Sequence, residues 1–436
     1  MINGINLEAN KNYSFSGKTF NLCKNKMAYK FVKSQEDLST TRFIQGTLTN
    51  WFPKAVFSRS LADFSEFTFL EFIESGIFYF AAPFLGEKLF RNGLFKNLHS
   101  KEHKTTVAEN LAKSVSEIKK SGIDKVAKNK IVTTKAGILL ACVAVPAAEY
   151  ALGFAKNLFT LKLFKISDFN NVANLNKKQS ENTNQQSKVE NHSKSVIKKM
   201  GALTLSGIAG GVLLAKYGYK SKIARKFSEA LLEPGEKIAE LLHKSGIHSK
   251  NTDKFLREYL KLDFDNSNGK FALSKGQLAL TCITGLFGYA NAAKDRGLLD
   301  YYEVLTRVPL VVLYTIFGSA LLDSRFKKYL AKKGKYPDLI QKDEHGAIKN
   351  IPSSDKLSEI AEKLALKNKT LKEQEFQKLI RQKAIITGVP YFVTLVCMGF
   401  ILSGVTRLCT QYRYNKQYQD TKRQNTKSLN VTNGKC

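Results

Sequence analysis

Residues 384–406 read AIITGVPYFVTLVCMGFILSGVT and form the longest uncharged apolar run in the chain. The stretch contains no Asp, Glu, Lys, Arg or His. An α-helix rises about 1.5 Å per residue, so about 20 such residues cross the roughly 30 Å hydrocarbon core of a bilayer. Within lipid, backbone polar groups are satisfied in a single segment only when it is helical. The stretch therefore predicts a transmembrane helix, and a soluble domain is a poor interpretation of the sequence.

Five further apolar stretches precede it. They are 67–86, 134–155, 201–215, 276–293 and 304–322. Together with 384–406 they predict an all-α, multi-pass transmembrane protein with about six spans, and five or seven spans also fit the pattern. The N-terminus has no apolar core of a signal peptide, so we expect no cleavable signal and insertion through internal segments, in a cell (cytoplasmic) membrane.

Composition divides the chain into regions. We expect a weakly ordered arm over 1–60, a first membrane region over 61–169, a flexible polar linker over 170–195, a second membrane region over 196–322 that includes a basic loop at 216–275, a basic amphipathic loop over 323–383, the last span, and a basic disordered tail over 407–436. The linker assignment rests on the run KKQSENTNQQSK, which is typical of flexible segments.

Three Lys-rich segments carry apolar residues at helical spacing: 107–128, 225–262 and 356–383. Such helices either lie on the headgroup surface of a membrane or pack on one another as a cap. The sequence leaves both alternatives open.

The net charge is +32, from 69 Lys and Arg against 37 Asp and Glu. Such an excess favours anionic partners. We expect membrane lipids with anionic headgroups first and an acidic protein partner second. Nucleic acid is disfavoured, because no RRM, homeodomain or zinc-finger motif is present.

Motifs for chemistry are missing from the sequence. It contains no P-loop, GxGxxG, GxSxG, HExxH or kinase signature, and its six cysteines form no CxxC pair. His99 and His103 share an i, i+4 spacing, but no third ligand follows at a recognisable distance. The sequence therefore predicts no catalytic, cofactor-binding or metal-binding residues and no cofactor, and an enzyme is not the favoured class.

Four ionisable residues interrupt the apolar stretches and are the best candidates for a functional site: Glu71, Glu74, Glu149 and Arg307. Charge is costly in lipid, so such residues often line a path for ions or substrates. The alternative is that each reaches a membrane interface. We favour a non-enzymatic membrane protein with a structural or interaction role, its basic loops lying on anionic lipid. The alternative function is a transporter or channel with a polar path lined by these four residues.

Small residues and prolines predict how the helices pack and bend. The candidates for close helix packing are Gly207, Gly210, Gly211, Gly285 and Gly288. The candidates for helix kinks are Pro83, Pro146, Pro309 and Pro390.

Overall fold

Most of the described residues are helical, and a short stretch of them forms a β-hairpin. The computed structural model describes residues 26–36, 40–175, 183–246, 249–267, 269–343, 348 and 351–433. The first helices are α1 Lys26–Glu36, α2 Thr40–Val56, α3 Leu61–Phe80, α4 Lys101–Asn110, α5 Val115–Lys120, α6 Lys125–Ala141, α7 Ala144–Phe164, α8 Phe169–Val172 and α9 Thr183–Tyr217. The later ones are α10 Lys222–Leu232, α11 Pro234–Lys244, α12 Lys250–Tyr259, α13 Lys275–Lys294, α14 Leu298–Leu313, α15 Ser319–Lys332, α16 Leu357–Asn368, α17 Lys372–Thr394 and α18 Leu402–Asn433. Strands β1 Asp265–Ser267 and β2 Lys270–Ala272 pair antiparallel.

Five helices in the described residues are long and apolar enough to cross a membrane. They are Leu61–Leu94, Lys125–Phe164, Thr183–Lys220, Leu298–Lys332 and Lys372–Asp420. Each contains one of the predicted apolar stretches. The remaining stretch, 276–293, is helical as α13 but is not among the five. Its face toward other helices carries polar residues such as Gln277 and Thr281, which are buried.

The four candidate kink prolines all accompany irregular helical geometry. Wider π-helical turns follow α3, α14 and α17, over Ala81–Leu94, Tyr314–Gly318 and Leu395–Ile401. Pro83 lies in the first of these, and Pro309 and Pro390 lie in the helices just before the other two. Pro146 lies in the first turn of α7, directly after the break that separates α6 from α7. Proline cannot donate the backbone hydrogen bond of a regular helix, and this favours such breaks.

Two compact units are built from these helices. The first unit comprises Met1–Thr49 and Phe317–Phe400. Its core contains Phe376, Leu379 and Ile380 of α17, with Tyr29 and Leu357 among their neighbours. Most of the apolar face that the sequence places in 356–383 is therefore covered by protein, whereas Leu371 is exposed.

The second unit comprises Asn50–Ile316 and Ile401–Cys436 and forms a helical bundle. Two glycine contacts bring its helices close together. In the first, α6 meets α9 where Gly137 faces Gly211; in the second, α7 meets α13, where a Cβ on Gly153 would lie 3.1 Å from the Gly288 carbonyl oxygen. Glycine permits this backbone approach because it has no side chain.

One end of the bundle carries a cap made of residues 95–124 and 222–274. Val107, Leu111, Val115 and Ile118 are all buried in its core, together with Phe264 and other apolar residues. The apolar faces of 107–128 and of part of 225–262 thus pack on each other and on the bundle. Of the two alternatives left open by the sequence, the structure supports a packed cap.

Several segments expected to be irregular are helical. The arm at 1–60 includes α1 and α2, and the linker at 170–195 includes α8 and the start of α9; residues 1–25, 37–39 and 176–182 lie outside the described residues. The tail at 407–436 continues α18 as far as Asn433. The start of α9 is stabilised by tertiary contacts, because Val189 and Val196 are buried and His192 Nδ1 lies 2.6 Å from Asp295 Oδ2. Polar composition alone does not reveal such contacts.

Candidate functional site

A buried group of charges lies at the end of the bundle opposite the cap. Arg296, in the turn between α13 and α14, is 1 % exposed, and its Nη1 lies 2.8 Å from Glu66 Oε2. Lys156 Nζ lies 3.0 Å from the other oxygen of Glu66. Thr160 donates to Glu66 at 2.9 Å. Asp300 lies 3.4 Å from Arg296 Nε and completes this part of the group.

A second set of charges lies on α3, α14 and α18 and in the turn that precedes α3. Arg59 Nη1 lies 2.9 Å from Glu303 Oε2, and its Nε lies 3.1 Å from Asp63 Oδ2. Arg407 also binds both acids, at 2.6 Å from Glu303 Oε1 and 3.3 Å from Asp63 Oδ2. Thr410 donates to Glu303 at 2.7 Å. Each acid is therefore shared by two guanidinium groups.

Phe169 connects the two sets, because the guanidinium carbons of Arg59 and Arg296 lie 5.1 Å and 5.8 Å from the centre of its ring. We call the eight ionisable residues the charged cluster: Arg59, Asp63, Glu66, Lys156, Arg296, Asp300, Glu303 and Arg407. Four acids face four bases, so the cluster is formally neutral. Burial lowers the pKa of Arg296, but Glu66 and Asp300 raise this pKa by more, and the net change is upward. Such a cluster can join helices, but it leaves no unpaired charge for chemistry.

The sequence analysis missed the charged cluster. Its members flank the apolar stretches instead of interrupting them, and their partners lie far away in the chain. Glu66, for example, is 230 positions from Arg296. The available signal was that acids and bases occur together near the ends of different apolar stretches.

The four candidates from the sequence do not form one group. Glu71 pairs with Lys54 of α2, and both side chains are largely buried. Arg307 has no ion pair with any residue that the structure describes, and the charge of Arg407 acts on it. Glu74 and Glu149, in contrast, lie near each other. Glu71 and Glu74 are one turn apart but have different partners.

Glu74 and Glu149 meet at Tyr289 of α13. The Tyr289 hydroxyl donates to Glu149 Oε1 at 3.1 Å and also interacts with the Glu74 carboxyl. Glu149 is 2 % exposed, and its second oxygen, Oε2, is buried without a hydrogen-bond partner among the described residues. No basic side chain faces the two acids within the described part of the chain. We call these three residues the Glu–Tyr–Glu triad.

Most of the candidate packing glycines lie at close helix contacts. Gly207 faces Leu140 and Val143, and Gly288 faces the backbone of Tyr150. Gly285 makes room for a side chain, because a Cβ there would lie 2.8 Å from Cγ of Glu149. Gly210 differs from the others: a Cβ on this residue would meet nothing within 4 Å.

An apolar cavity of about 120 Å³ lies between the bundle and the cap. Leu139, Val143, Phe264 and Leu280 are among its lining residues. None of the four ionisable candidates lines it. The cavity therefore offers no polar path.

Several buried ionisable groups lie in the cap or beside it. Lys135 of α6 is 1 % exposed and lies 2.9 Å from Asp263, whose pKa is raised by burial. Burial also raises the pKa of Glu233 to about 7. His99 contacts Thr134 at 2.6 Å, and burial lowers the pKa of its imidazole to about 4. Among the described residues, no group of three His, Cys, Asp or Glu side chains could hold a metal ion.

Comparison with known proteins adds no relative. No protein-family model, curated protein or solved structure matches this chain.

Proposed function

We propose that this chain is a multi-pass integral membrane protein with six spans, the sixth being α13. This helix has 20 residues, which corresponds to about 30 Å, and contains no Asp, Glu, Lys, Arg or His between its terminal lysines. It packs against α7 through glycine contacts, so other helices shield its polar residues from lipid. The five longer apolar helices support insertion by their length and composition.

We further propose a structural or interaction role in which the cap lies on anionic headgroups. The observation that carries this proposal is an exposed apolar stripe on α10. Ile223 and Phe227 are 82 % and 51 % exposed and lie one turn apart, so they share a face of the helix. Leu241 of α11 and Phe255 of α12 are also exposed. Phe255 also stacks on Tyr259 of the same helix, whereas packing within the cap leaves Ile223 and Phe227 of α10 exposed.

The position of α10 fits a membrane interface. The helix begins just after Lys220, where the long apolar helix Thr183–Lys220 ends. Tyr217 is half exposed at this end, and tyrosine is enriched at membrane interfaces. Lys222 and Lys226 are exposed beside the apolar stripe. Apolar side chains flanked by lysines are typical of helices that bind anionic membrane surfaces.

The transporter alternative receives less support. Only Glu74 and Glu149 of its four candidate residues lie together, and the apolar cavity is lined by none of the four. A polar path would need those groups to face a common space.

Depth-dependent quenching tests the cap surface. The full-length protein carrying Phe227→Trp, in a Trp51→Phe background, is reconstituted in bilayers with brominated acyl chains. We expect the fluorescence of the new tryptophan to be quenched, and more strongly with anionic than with neutral lipid at low salt. At about 1 M salt the Debye length falls to about 3 Å, and the difference between the lipids should shrink.

Phe264→Trp is the matched control, because Phe264 is 2 % exposed in the core of the same cap. Its fluorescence should not respond to brominated lipid. Equal responses of the two tryptophans, or no quenching at position 227 with either lipid, would contradict the docking of the cap.

A further inference from the structure

We propose that the Glu–Tyr–Glu triad is a proton-binding site inside the bundle, in which Glu74 and Glu149 share one proton through the hydroxyl of Tyr289. This site is independent of the docking of the cap. Its ligand is a proton, held between carboxyl groups that have no basic partner in the described chain.

Geometry supports the sharing. Tyr289 interacts with both carboxyl groups through one oxygen atom. Two hydrogen bonds of about 3 Å at one oxygen bring the carboxyl groups within roughly 6 Å of each other. Two carboxylates at such a distance in an apolar bundle cannot both be charged without a large cost. One proton on the pair removes the repulsion.

The unpartnered oxygen of Glu149 supplies independent evidence. Oε1 of Glu149 accepts the hydrogen bond from Tyr289, whereas Oε2 is buried with no partner. A charged carboxylate with a buried oxygen that has no hydrogen-bond partner is strongly disfavoured, and protonation of the carboxyl group removes the charge. Gly285 gives the carboxyl group its space on α13, which shows that the helix packing admits this side chain in the interior.

The surroundings of the triad favour a proton over a metal ion. Cys282 of α13 is the only other titratable group that acts on these residues in the described chain, and no set of three metal-ligating side chains occurs there. Glu71 on α3 is already paired with Lys54. On α9, His192 packs against Phe154 of α7 with 5.3 Å between the ring centres, and residues 201–215 contain no ionisable side chain.

The shared proton can move from Glu74 to Glu149 without changing the total charge of the Glu–Tyr–Glu triad. In one state the Glu74 carboxyl donates to the Tyr289 oxygen, and Tyr289 donates to the Glu149 carboxylate. Transfer breaks the O–H bonds of Glu74 and Tyr289 and forms new O–H bonds on Tyr289 and Glu149. One proton enters the tyrosine oxygen as another leaves it, so tyrosine is neutral before and after.

A hydrophobic carbodiimide tests the proposal on the unmodified protein. This reagent activates protonated carboxyl groups in apolar surroundings, and peptide mass spectrometry locates the adduct. On the full chain in detergent, we expect several-fold more adduct on Glu74 or Glu149 than on Glu71, which lies on the same helix but is ion-paired. Labelling should fall as the pH rises. Labelling no stronger than at Glu71 would overturn the proposal.

Infrared spectra of the variants give a second readout. The band of a protonated carboxyl should be present in the wild type and in Glu71→Gln. Other buried carboxyl groups such as Glu233 also contribute to this band, so its intensity should fall in the double variant Glu74→Gln, Glu149→Gln relative to both. An unchanged intensity in the double variant would place the proton elsewhere. Protection from the carbodiimide by Na⁺ but not by K⁺ at fixed pH would show a cation in the site and would also overturn the proposal.

Discussion

Arg407 and Glu303, which are 104 positions apart in the chain, form an ion pair with 2.6 Å between Nη1 and Oε1. Arg407 belongs to α18 and Glu303 to α14, so the pair joins two helices from distant parts of the sequence. Both side chains are largely buried, and both belong to the neutral charged cluster. The charged cluster therefore connects helices through buried ion pairs at one end of the bundle.

Removal of one member of the charged cluster should destabilise the protein. We expect Arg407→Ala to lower the free energy of unfolding by about 3 kcal/mol, because a buried acid then loses a partner. Adding Glu303→Gln should restore part of the loss. Thermal unfolding of the full chain in detergent measures both. Lys194→Ala is the control, since Lys194 pairs with Glu190 while 50 % exposed, and a surface pair contributes about 0–1 kcal/mol. Equal effects of the two single variants would contradict the role of the cluster.

The positions of most long helices could be predicted from apolar stretches alone. Residues 384–406 lie within the helix Lys372–Asp420, since a long run without charge has few alternatives. The helical start of α9 and the helical tail in α18 could not be predicted, because they have no apolar stretch. Packing of residues such as Val189 stabilises the start of α9.

The same distinction applies to the polar sites. Glu74 and Glu149 were identifiable because each interrupts an apolar stretch. Their shared partner Tyr289 was not, since an uncharged residue in such a stretch gives no signal. Arg296 and Glu66 also escaped notice, because ion pairing depends on distances across the fold. A single sequence identifies ionisable residues whose burial is unfavourable, but it does not identify the partners that stabilise them.

Two adjacent glycines in α9 should respond oppositely to substitution. Gly211 faces the backbone of Gly137, whereas nothing lies within 4 Å of a Cβ on Gly210. We expect Gly211→Ala to destabilise the protein by about 1–3 kcal/mol through overpacking. Gly210→Ala should be neutral or stabilise it by up to about 1 kcal/mol, because alanine favours the helix. Melting temperatures of both variants measure this difference, and a greater loss at 210 would contradict the helix contact.

Glu233 should make stability depend on pH. Burial, with help from Glu236 and Asp263, raises its pKa in the folded protein from 4.5 to about 7. Between these values the folded state binds more protons than the unfolded state, so stability should fall as the pH rises from about 4.5 to about 7. Asp263, whose pKa is also raised, contributes with the same sign.

Glu233→Gln should remove part of this dependence. Its melting temperature should match the wild type near pH 4.5 and exceed it above pH 7 by about 2–4 °C, which corresponds to roughly 1 kcal/mol. Glu240→Gln is the control, because Glu240 is exposed on the neighbouring helix α11. Melting curves from pH 4 to 8 decide the matter, and a wild-type advantage above pH 7 would show that ionised Glu233 is stabilising.

Insertion of the chain into the membrane is the expectation on which the assignment of the spans depends. We expect the full chain to stay in the membrane pellet after an alkaline carbonate wash and to need detergent for extraction. Apolar helices such as Lys372–Asp420 satisfy their backbone groups internally and lose their hydrophobic contacts if they leave lipid. A protein held only by its positive charge would be released, because the wash removes peripheral attachments. A variant with Val393→Arg and Ile401→Arg provides the contrast, since each arginine near the centre of a span costs about 2.5–3.5 kcal/mol in insertion. We expect this variant to appear in part in the wash. Recovery of the wild-type chain in the soluble fraction would refute the membrane-spanning interpretation and, with it, the assignment of all six spans.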